Sequence, residues 1–338
     1  MSERVLITGV TGMVGSHLVD YLLEQTDWRI FGLSRWRSPV DNLQHLMAEL
    51  NSGERLELCE GDLTDGQSLE RVIEYVRPSI VFHLAAQSFP TASFESPVAT
   101  LDANILGTAR LLQGLQKRCS PDIRVHVCSS SEVFGRVPPE FIPIKESAPF
   151  HPASPYSISK IGTDLLGQFW AEAYEMNIWI TRMFTHTGPR RGDTFAESSF
   201  AKQIALIEAG QIEPVIKVGN LDSLRTWADV RDAVRAYYLL VTSGQPRGST
   251  FNIGGAHTCT VGEMLQYLLS LSPMETSIDV QVDPHRLRPL DANLQVPNVS
   301  KFHEATGWIP EISFEKTMQD LLDYWRDRVS RQGAFGGR

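Results

Sequence analysis

Residues 4–25 read RVLITGVTGMVGSHLVDYLLEQ, and this stretch decides the fold class. Its first five residues, RVLIT, form a compact run rich in β-branched side chains, as a buried strand requires. Leu18, Tyr21 and Leu22 then recur at helical spacing. Between the two lies Thr8-Gly9-Val10-Thr11-Gly12-Met13-Val14-Gly15, a GxxGxxG. Gly9 permits a tight turn, Gly12 lets the backbone approach a pyrophosphate, and Gly15 allows close helix–sheet packing. The first helical N–H groups and the helix dipole favour a phosphate at that point. In isolation such a loop is also a plain turn; its place after the first strand of a βαβ unit favours the dinucleotide reading.

Outward from this unit the same rhythm repeats. Apolar runs at 29–34, 56–59, 79–84, 124–128 and 178–183 alternate with amphipathic segments at 67–77, 100–118 and 156–176. Strand, helix, strand, helix over nearly two hundred residues means a parallel sheet covered on both faces, a doubly wound α/β fold of Rossmann type. After about residue 185 the rhythm changes, with GPRRG at 188–192, helical stretches at 197–209, 228–243 and 314–328, and short strands near 215–218 and 250–253. We expect a dinucleotide-binding domain over 1–185, with the chain returning to it near 228–255. A smaller C-terminal α/β lobe over 186–330 is expected to bind substrate at the sheet's C-terminal edge.

Composition agrees with an ordinary soluble globular protein. The 338 residues carry 31 Lys+Arg against 40 Asp+Glu, a net charge of −9, with 42% hydrophobic residues. The acidic balance argues against a nucleic-acid partner. No apolar stretch reaches the length of a membrane span, and the N-terminal apolar run breaks at Thr8-Gly9, so neither a membrane nor a signal peptide is expected. Cys59, Cys119, Cys128 and Cys259 are scattered without a CxxC pair, which fits reduced thiols in a cytoplasmic protein. His83, His126 and His186 lack ligand spacing and read as buried, hydrogen-bonded histidines, so no metal is expected.

The second strand ends in Ser34-Arg35-Trp36-Arg37-Ser38, with no carboxylate for a ribose 2′-hydroxyl. Guanidinium forks match a 2′-phosphate, so Arg35, Arg37 and Ser38 favour NADP(H) over NAD(H); a merely solvated loop is the alternative. Asp62 and Leu63 follow the third strand and could face the adenine. Leu84, Ala85 and Ala86 end the fourth strand in small residues, as needed where backbone lies against a cofactor.

Tyr156 and Lys160 in PYSISK stand four apart, on one face of a helix. A free tyrosine titrates near ~10, too high for a base at neutral pH, and an adjacent ammonium would lower that value. Upstream, Ser129-Ser130-Ser131-Glu132 closes a strand with a hydroxyl for a sugar oxygen and a carboxylate for a second acid/base step.

Together GxxGxxG, LAAQS (84–88), SSSE (129–132) and YxxxK resemble the extended short-chain dehydrogenase/reductase family, over residues 3 to about 328. Within it the chain resembles the GDP-mannose 4,6-dehydratases and the related GDP-4-keto-6-deoxy-mannose reductases. Dehydratase-like segments are GDLTD (61–65), AAQSF (85–89), SSSEVFG (129–135), PFHPASPY (149–156), GPRRGDTF (188–195) and GNLDSLRTW (219–227). FAKQI (200–204), VRDAVRAY (230–237) and LRP (287–289) resemble the reductases. The dehydratases usually carry Thr at the Ser130 position, which keeps a hydroxyl, and Asn at the Thr185 position, which alters a phosphate or sugar contact.

The resemblance implies that Ser130 and Tyr156 bind the sugar O4, with Tyr156 taking its proton and Lys160 holding the nicotinamide ribose and tuning Tyr156. It implies that Glu132 takes the C5 proton and helps expel the C6 hydroxyl, while hydride moves from C4 to C6. The implied product is a GDP-4-keto-6-deoxy-hexose. A reductase of that product would use the same Ser/Tyr/Lys set and consume NADPH. Ser88, Thr185 and Lys202 lie in family-like segments as substrate candidates. Arg190, Arg191, Arg225 and Arg288 are cationic candidates for the diphosphate. A homodimer or homotetramer is implied by resemblance alone.

Overall fold

A computed structural model describes residues 2–335. The chain runs β1 (Arg4–Thr8), α1 (Met13–Gln25), β2 (Arg29–Ser34), α2 (Met47–Ser52), β3 (Leu56–Glu60), α3 (Gly66–Val76) and β4 (Ile80–His83). Two short helices, α4 (Pro90–Glu95) and α5 (Pro97–Leu101), lead through a π-type turn at Asp102–Leu106 into α6 (Gly107–Arg118). Then come β5 (Arg124–Cys128), α7 (Pro155–Ala173) and β6 (Asn177–Met183). The remainder is β7 (His186–Thr187), α8 (Ala196–Glu208), β8 (Val215–Val218), β9 (Leu224–Asp229), α9 (Val230–Thr242), β10 (Thr250–Ile253) and β11 (His257–Thr260). It continues through α10 (Val261–Ser270), β12 (Asp279–Val282), β13 (Leu294–Gln295), α11 (Ser300–Thr306) and α12 (Phe314–Phe335).

The central sheet has seven parallel strands in the order β10-β6-β5-β4-β1-β2-β3. The order reverses direction beside β1, and the C-terminal ends of β1 and β4 therefore open onto one crevice, the position where doubly wound sheets bind ligands. Strands β1, β4 and β5 are almost wholly buried, which is why they read as unbroken apolar runs. One face buries Leu18, Val19 and Leu22 of α1 against Val234, Tyr237 and Leu240 of α9. The other buries Leu69 and Ile73 of α3 with Leu111 and Leu115 of α6.

A separate apolar core joins Phe200 and Ile204 of α8, Met264 and Leu268 of α10, and Met318, Leu322 and Trp325 of α12. It is bordered by β7, β9, β11 and β13, where β11 runs antiparallel to β9 while β7 and β13 run parallel to it. Strands β8 and β12 pair in parallel.

Several elements differ from the sequence expectation. The segment expected as one helix over 228–243 begins as the end of β9, because Asp229 caps α9 by accepting from the Arg231 N–H. The helix expected over 100–118 is interrupted by the π-type turn. The helix expected over 156–176 stops at Ala173. Among the described residues no helix is long and apolar enough to cross a membrane.

Candidate active site

The glycine loop is pressed onto the end of β4. Gly9 has φ 75°, a left-handed conformation, and a Cβ there would lie 2.8 Å from the Ala85 nitrogen. A Cβ at Gly15 would overlap the Gly9 carbonyl oxygen. Gly12 occupies the N-cap of α1, and no side chain caps the helix, nor does its first turn hold an acid. The orphan N–H groups at that terminus thus suit an anion supplied from the cleft.

Thr8 fastens this corner. Its Oγ1 accepts from the N–H groups of Leu84 and Ala85, both at 3.1 Å, and lies 2.9 Å from His83 Nδ1. His83 Nε2 is 2.9 Å from Thr108 Oγ1, which itself donates to the Asn104 carbonyl. The chain of donors assigns His83 the Nε2–H tautomer. Burial lowers its pKa to about 3, and His126, bonded to Thr181 Oγ1, is lowered to about 3 by burial as well. His186 is held near 4, again chiefly by burial. His83 and His126 are buried and hydrogen-bonded within the sheet, while His186 borders the cleft; the described residues contain no His/Cys/Asp/Glu cluster that could hold a metal.

A cleft of about 900 Å³ extends from the glycine loop into the second core. It is lined by Gly9, Thr11, Gly12, Met13, Val14, Gly15, Arg35, Ser38, Asp62, Leu63, Leu84, Ala85 and Ala86 on the sheet side. Ser88, Ser130, Glu132, Tyr156, Lys160, Thr185, Arg190, Arg191, Arg225 and Arg288 line it further on. Two candidates lie elsewhere. Arg37 is exposed, its guanidinium stacked 4.6 Å from the Trp36 ring centroid. Lys202 turns away to Asp193, at 2.6 Å, because α8 presents it beside that carboxylate and the Trp325 ring.

The catalytic candidates meet where α7 crosses the end of β5. Ser154 caps α7 by accepting from the Ser157 N–H at 3.0 Å, and Pro155 fixes its first turn. Tyr156 follows, its own N–H donating to Ser93 Oγ at 3.1 Å. One turn later Lys160 Nζ donates to the Cys128 carbonyl at 2.7 Å. Ser130 Oγ accepts from the Glu132 N–H at 3.2 Å, so its own proton remains available to another oxygen.

Burial dominates the electrostatics of this pair. Burial raises the Tyr156 pKa above its ordinary value, with the Ser130 hydroxyl acting against the rise and Arg191 a smaller opposing influence. The Lys160 ammonium is itself disfavoured by burial and engaged by the Cys128 carbonyl.

Asn104 went unrecognised in the sequence. It sits in the π-type turn, and its Nδ2 donates to Ser159 Oγ at 2.8 Å and to the Gln87 carbonyl at 3.0 Å. Its Oδ1 accepts from the Gln87 N–H at 2.8 Å. Asn104 thereby locks α7 to the cleft-lining segment after β4. A polar Asn amid an apolar helical stretch was the available signal.

The arginines divide by partner. Arg190, in the left-handed region at φ 69°, pairs with Asp20 of α1 at 2.7 Å, while the neighbouring Pro189 carbonyl meets His17 Nε2 at 3.1 Å. Arg191, partly buried, pairs with Glu197 at 3.1 Å and stacks on Phe195. Arg225 lies 3.7 Å from Glu132 and 3.5 Å from Asp291, which also holds Arg288 at 3.4 Å. Asp291, Asn220 and Ser223, unforeseen in the sequence, form one polar cluster beneath these arginines.

Comparison with known proteins gives a consistent picture. Residues 6–321 match the family described as GDP-mannose 4,6 dehydratase. A GDP-mannose 4,6-dehydratase of Yersinia enterocolitica is 31% identical, across 95% of this chain and 93% of that one. A GDP-6-deoxy-D-mannose reductase of Pseudomonas aeruginosa is 30% identical, across 98% and 100%. The solved structure of RMD from Pseudomonas aeruginosa, complexed with NADPH, superposes with a TM-score of 0.80 at 28% identity, covering 97% of this chain and 100% of that one.

Proposed function

The chain belongs to the GDP-mannose 4,6-dehydratase family, and from that premise we propose that it is a GDP-sugar 4,6-dehydratase working with a bound nicotinamide dinucleotide. The observation that carries the reading is the position of Glu132. A reductase acting at C4 needs one proton-transfer group; a dehydratase needs a second, for C5. Glu132 supplies it on the same wall of the cleft, its N–H bonded to the Ser130 hydroxyl.

In this reading Ser130 and Tyr156 hold the sugar O4, and Tyr156 takes its proton as C4 becomes a ketone. The ketone acidifies C5–H. Glu132 takes that proton, the C–H electron pair forms the C5–C6 double bond, and the C6 hydroxyl leaves as water with the proton returned by Glu132; as C6 then gains hydride, C5 takes the proton that Tyr156 had removed from O4. The uncapped glycine-loop helix would hold a dinucleotide pyrophosphate, with Lys160 at its nicotinamide ribose. Bound there, a nicotinamide dinucleotide supplies hydride exchange, from C4 to C6, with no net consumption of reductant.

We assign NADP(H) as that dinucleotide, since Arg35 lines the cleft beside Ser38 with no carboxylate from the same turn. Arg225 and Arg288 are assigned to the diphosphate. The division into a dinucleotide domain (1–185 with 228–255) and a substrate lobe (186–330) belongs to the same proposal. So does a homo-oligomer, supported by the exposed apolar side chains Ile158, Leu165 and Phe169 along one face of α7. Four free cysteines favour a cytoplasmic setting.

Incubating the purified protein with GDP-mannose and no added reductant tests the assignment. A 4-keto-6-deoxy product identified by mass spectrometry supports it. The reductase reading is favoured by a relative of that activity matching end to end. It predicts inertness toward GDP-mannose and stoichiometric NADPH oxidation with the 4-keto sugar.

A further inference from the structure

Arg225 stands between two carboxylates from different parts of the chain. Its Nη1 lies 3.7 Å from Glu132 Oε1, on the turn after β5, and its Nη2 lies 3.5 Å from Asp291 Oδ1, in the loop before β13. All three side chains are largely withdrawn from solvent, with relative exposures of 12%, 13% and 18%. Among the described residues the Arg225 guanidinium makes no hydrogen bond, and both separations exceed hydrogen-bond length. Asp291 is otherwise well satisfied, by the Ala292 N–H at 3.0 Å, Asn220 at 3.1 Å, Ser223 at 3.3 Å and Arg288 at 3.4 Å. Glu132 has no other cation within ion-pair distance among the described residues.

A guanidinium carries five donors and matches phosphate oxygens in a two-pronged fashion. Held at 3.5 and 3.7 Å by Coulomb attraction alone, Arg225 keeps its donors for a stronger acceptor. We propose that Glu132 and the diphosphate of the nucleotide compete for Arg225, so that nucleotide binding draws the guanidinium away and releases Glu132 for its proton transfer. The inference rests on the nucleotide-sugar reading of this cleft. Arg225 is then a positioning residue for the C5 base, and a sugar lacking the diphosphate leaves that base tethered.

Competition has a signature that does not require turnover. Removing Glu132 must tighten nucleotide binding, but only where Arg225 is present to benefit. A general gain from deleting a negative charge near an anionic ligand would appear with or without Arg225. Calorimetric titration of GDP into the NADP-loaded protein, for the wild type, Glu132→Gln, Arg225→Gln and the double variant, separates the cases. We expect Glu132→Gln to bind GDP roughly three- to tenfold tighter, Arg225→Gln to bind it more weakly, and the Glu132→Gln gain to vanish in the Arg225→Gln background. Glu132→Ala repeats the comparison if the Gln variant misfolds. Unchanged affinity in Glu132→Gln, or an equal gain in both backgrounds, overturns the tether. Failure of the wild type to bind GDP instead defeats the nucleotide reading, and this inference falls with it.

Discussion

Lys160 Nζ donates to the Cys128 carbonyl at 2.7 Å, stitching the first turns of α7 to the last residue of β5. The ammonium is held there at a cost, since burial lowers its pKa. Lys160→Met removes a buried charge and substitutes an apolar chain of similar length. Turnover should fall by about two or more decades while the melting temperature stays level or rises. Retained turnover with a lower melting temperature would show that Lys160 serves the fold rather than the reaction.

Tyr156→Phe deletes only the phenol oxygen. The ring is almost fully buried, so the variant should fold with wild-type circular dichroism while turnover drops roughly 10²–10⁴-fold. Near-normal turnover in the folded variant would pass the O4 proton to another group.

Glu132→Gln keeps size and polarity but cannot accept the C5 proton. Oxidation at C4 should proceed and halt, leaving reduced dinucleotide with a 4-keto hexose. In a single turnover the absorbance of reduced nicotinamide should rise and remain high, against a transient in the wild type. Loss of sugar binding without stranded reduced cofactor would reduce Glu132 to an organiser of the loop.

Arg35 and Arg37 are separable because one faces the cleft and the other stacks on Trp36. Arg35→Ala should weaken NADP(H) by about one to two decades and NAD(H) far less; Arg37→Ala should do little to either. Fluorescence titration with both dinucleotides reads the difference. Equal weakening of the two by Arg35→Ala would remove the 2′-phosphate assignment.

Acid should unfold the protein through its buried histidines. His83 and His126 are depressed to about 3, and His17 and His186 to about 4, from an ordinary 6.5, mainly by burial. Below pH 6.5 the unfolded chain takes up protons that the folded chain refuses, so stability is intact above that value and declines as pH falls toward 3–4. Each such histidine contributes a slope of roughly 1.4 kcal/mol per pH unit. Urea midpoints measured from neutral pH downward should fall, and His126→Gln should flatten the decline. A flat profile for the wild type would mean these rings charge without opening the core.

The sheet was readable because strands buried on both faces repeat one signature, as 4–8 and 124–128 do. Strand β9 is hard to read from LRTWAD because Arg225 and Trp227, two apart on the face that lines the cleft, mix a charge with an apolar ring, so no continuous apolar run marks it. The same logic divides the site. Ser130, Glu132, Tyr156 and Lys160 are local in sequence to two chain segments, and their spacing alone nearly assembles them. Asp291 and Asn220 reach the cleft only through tertiary pairing of distant loops. Arg37 and Lys202 show the opposite limit: a positive residue near a site is legible, but which neighbour it turns to is decided by Trp36 and Asp193.

Strand β10 gives the central sheet an edge that is completed late. Between β6 and β10 the chain first travels out through β7, α8, β8 and β9 before returning to pair Thr250–Ile253 with Ile180–Met183. On a ribosome, β6 would emerge some seventy residues before its partner, at the elongation rate of ~5–20 residues per second several seconds of unpaired edge. A fragment cut at the expected domain boundary near 185 would keep that edge permanently bare, together with the apolar face that α9 covers. The two halves of this molecule are therefore separable in description but interlaced in synthesis, and neither can be excised by a single cut.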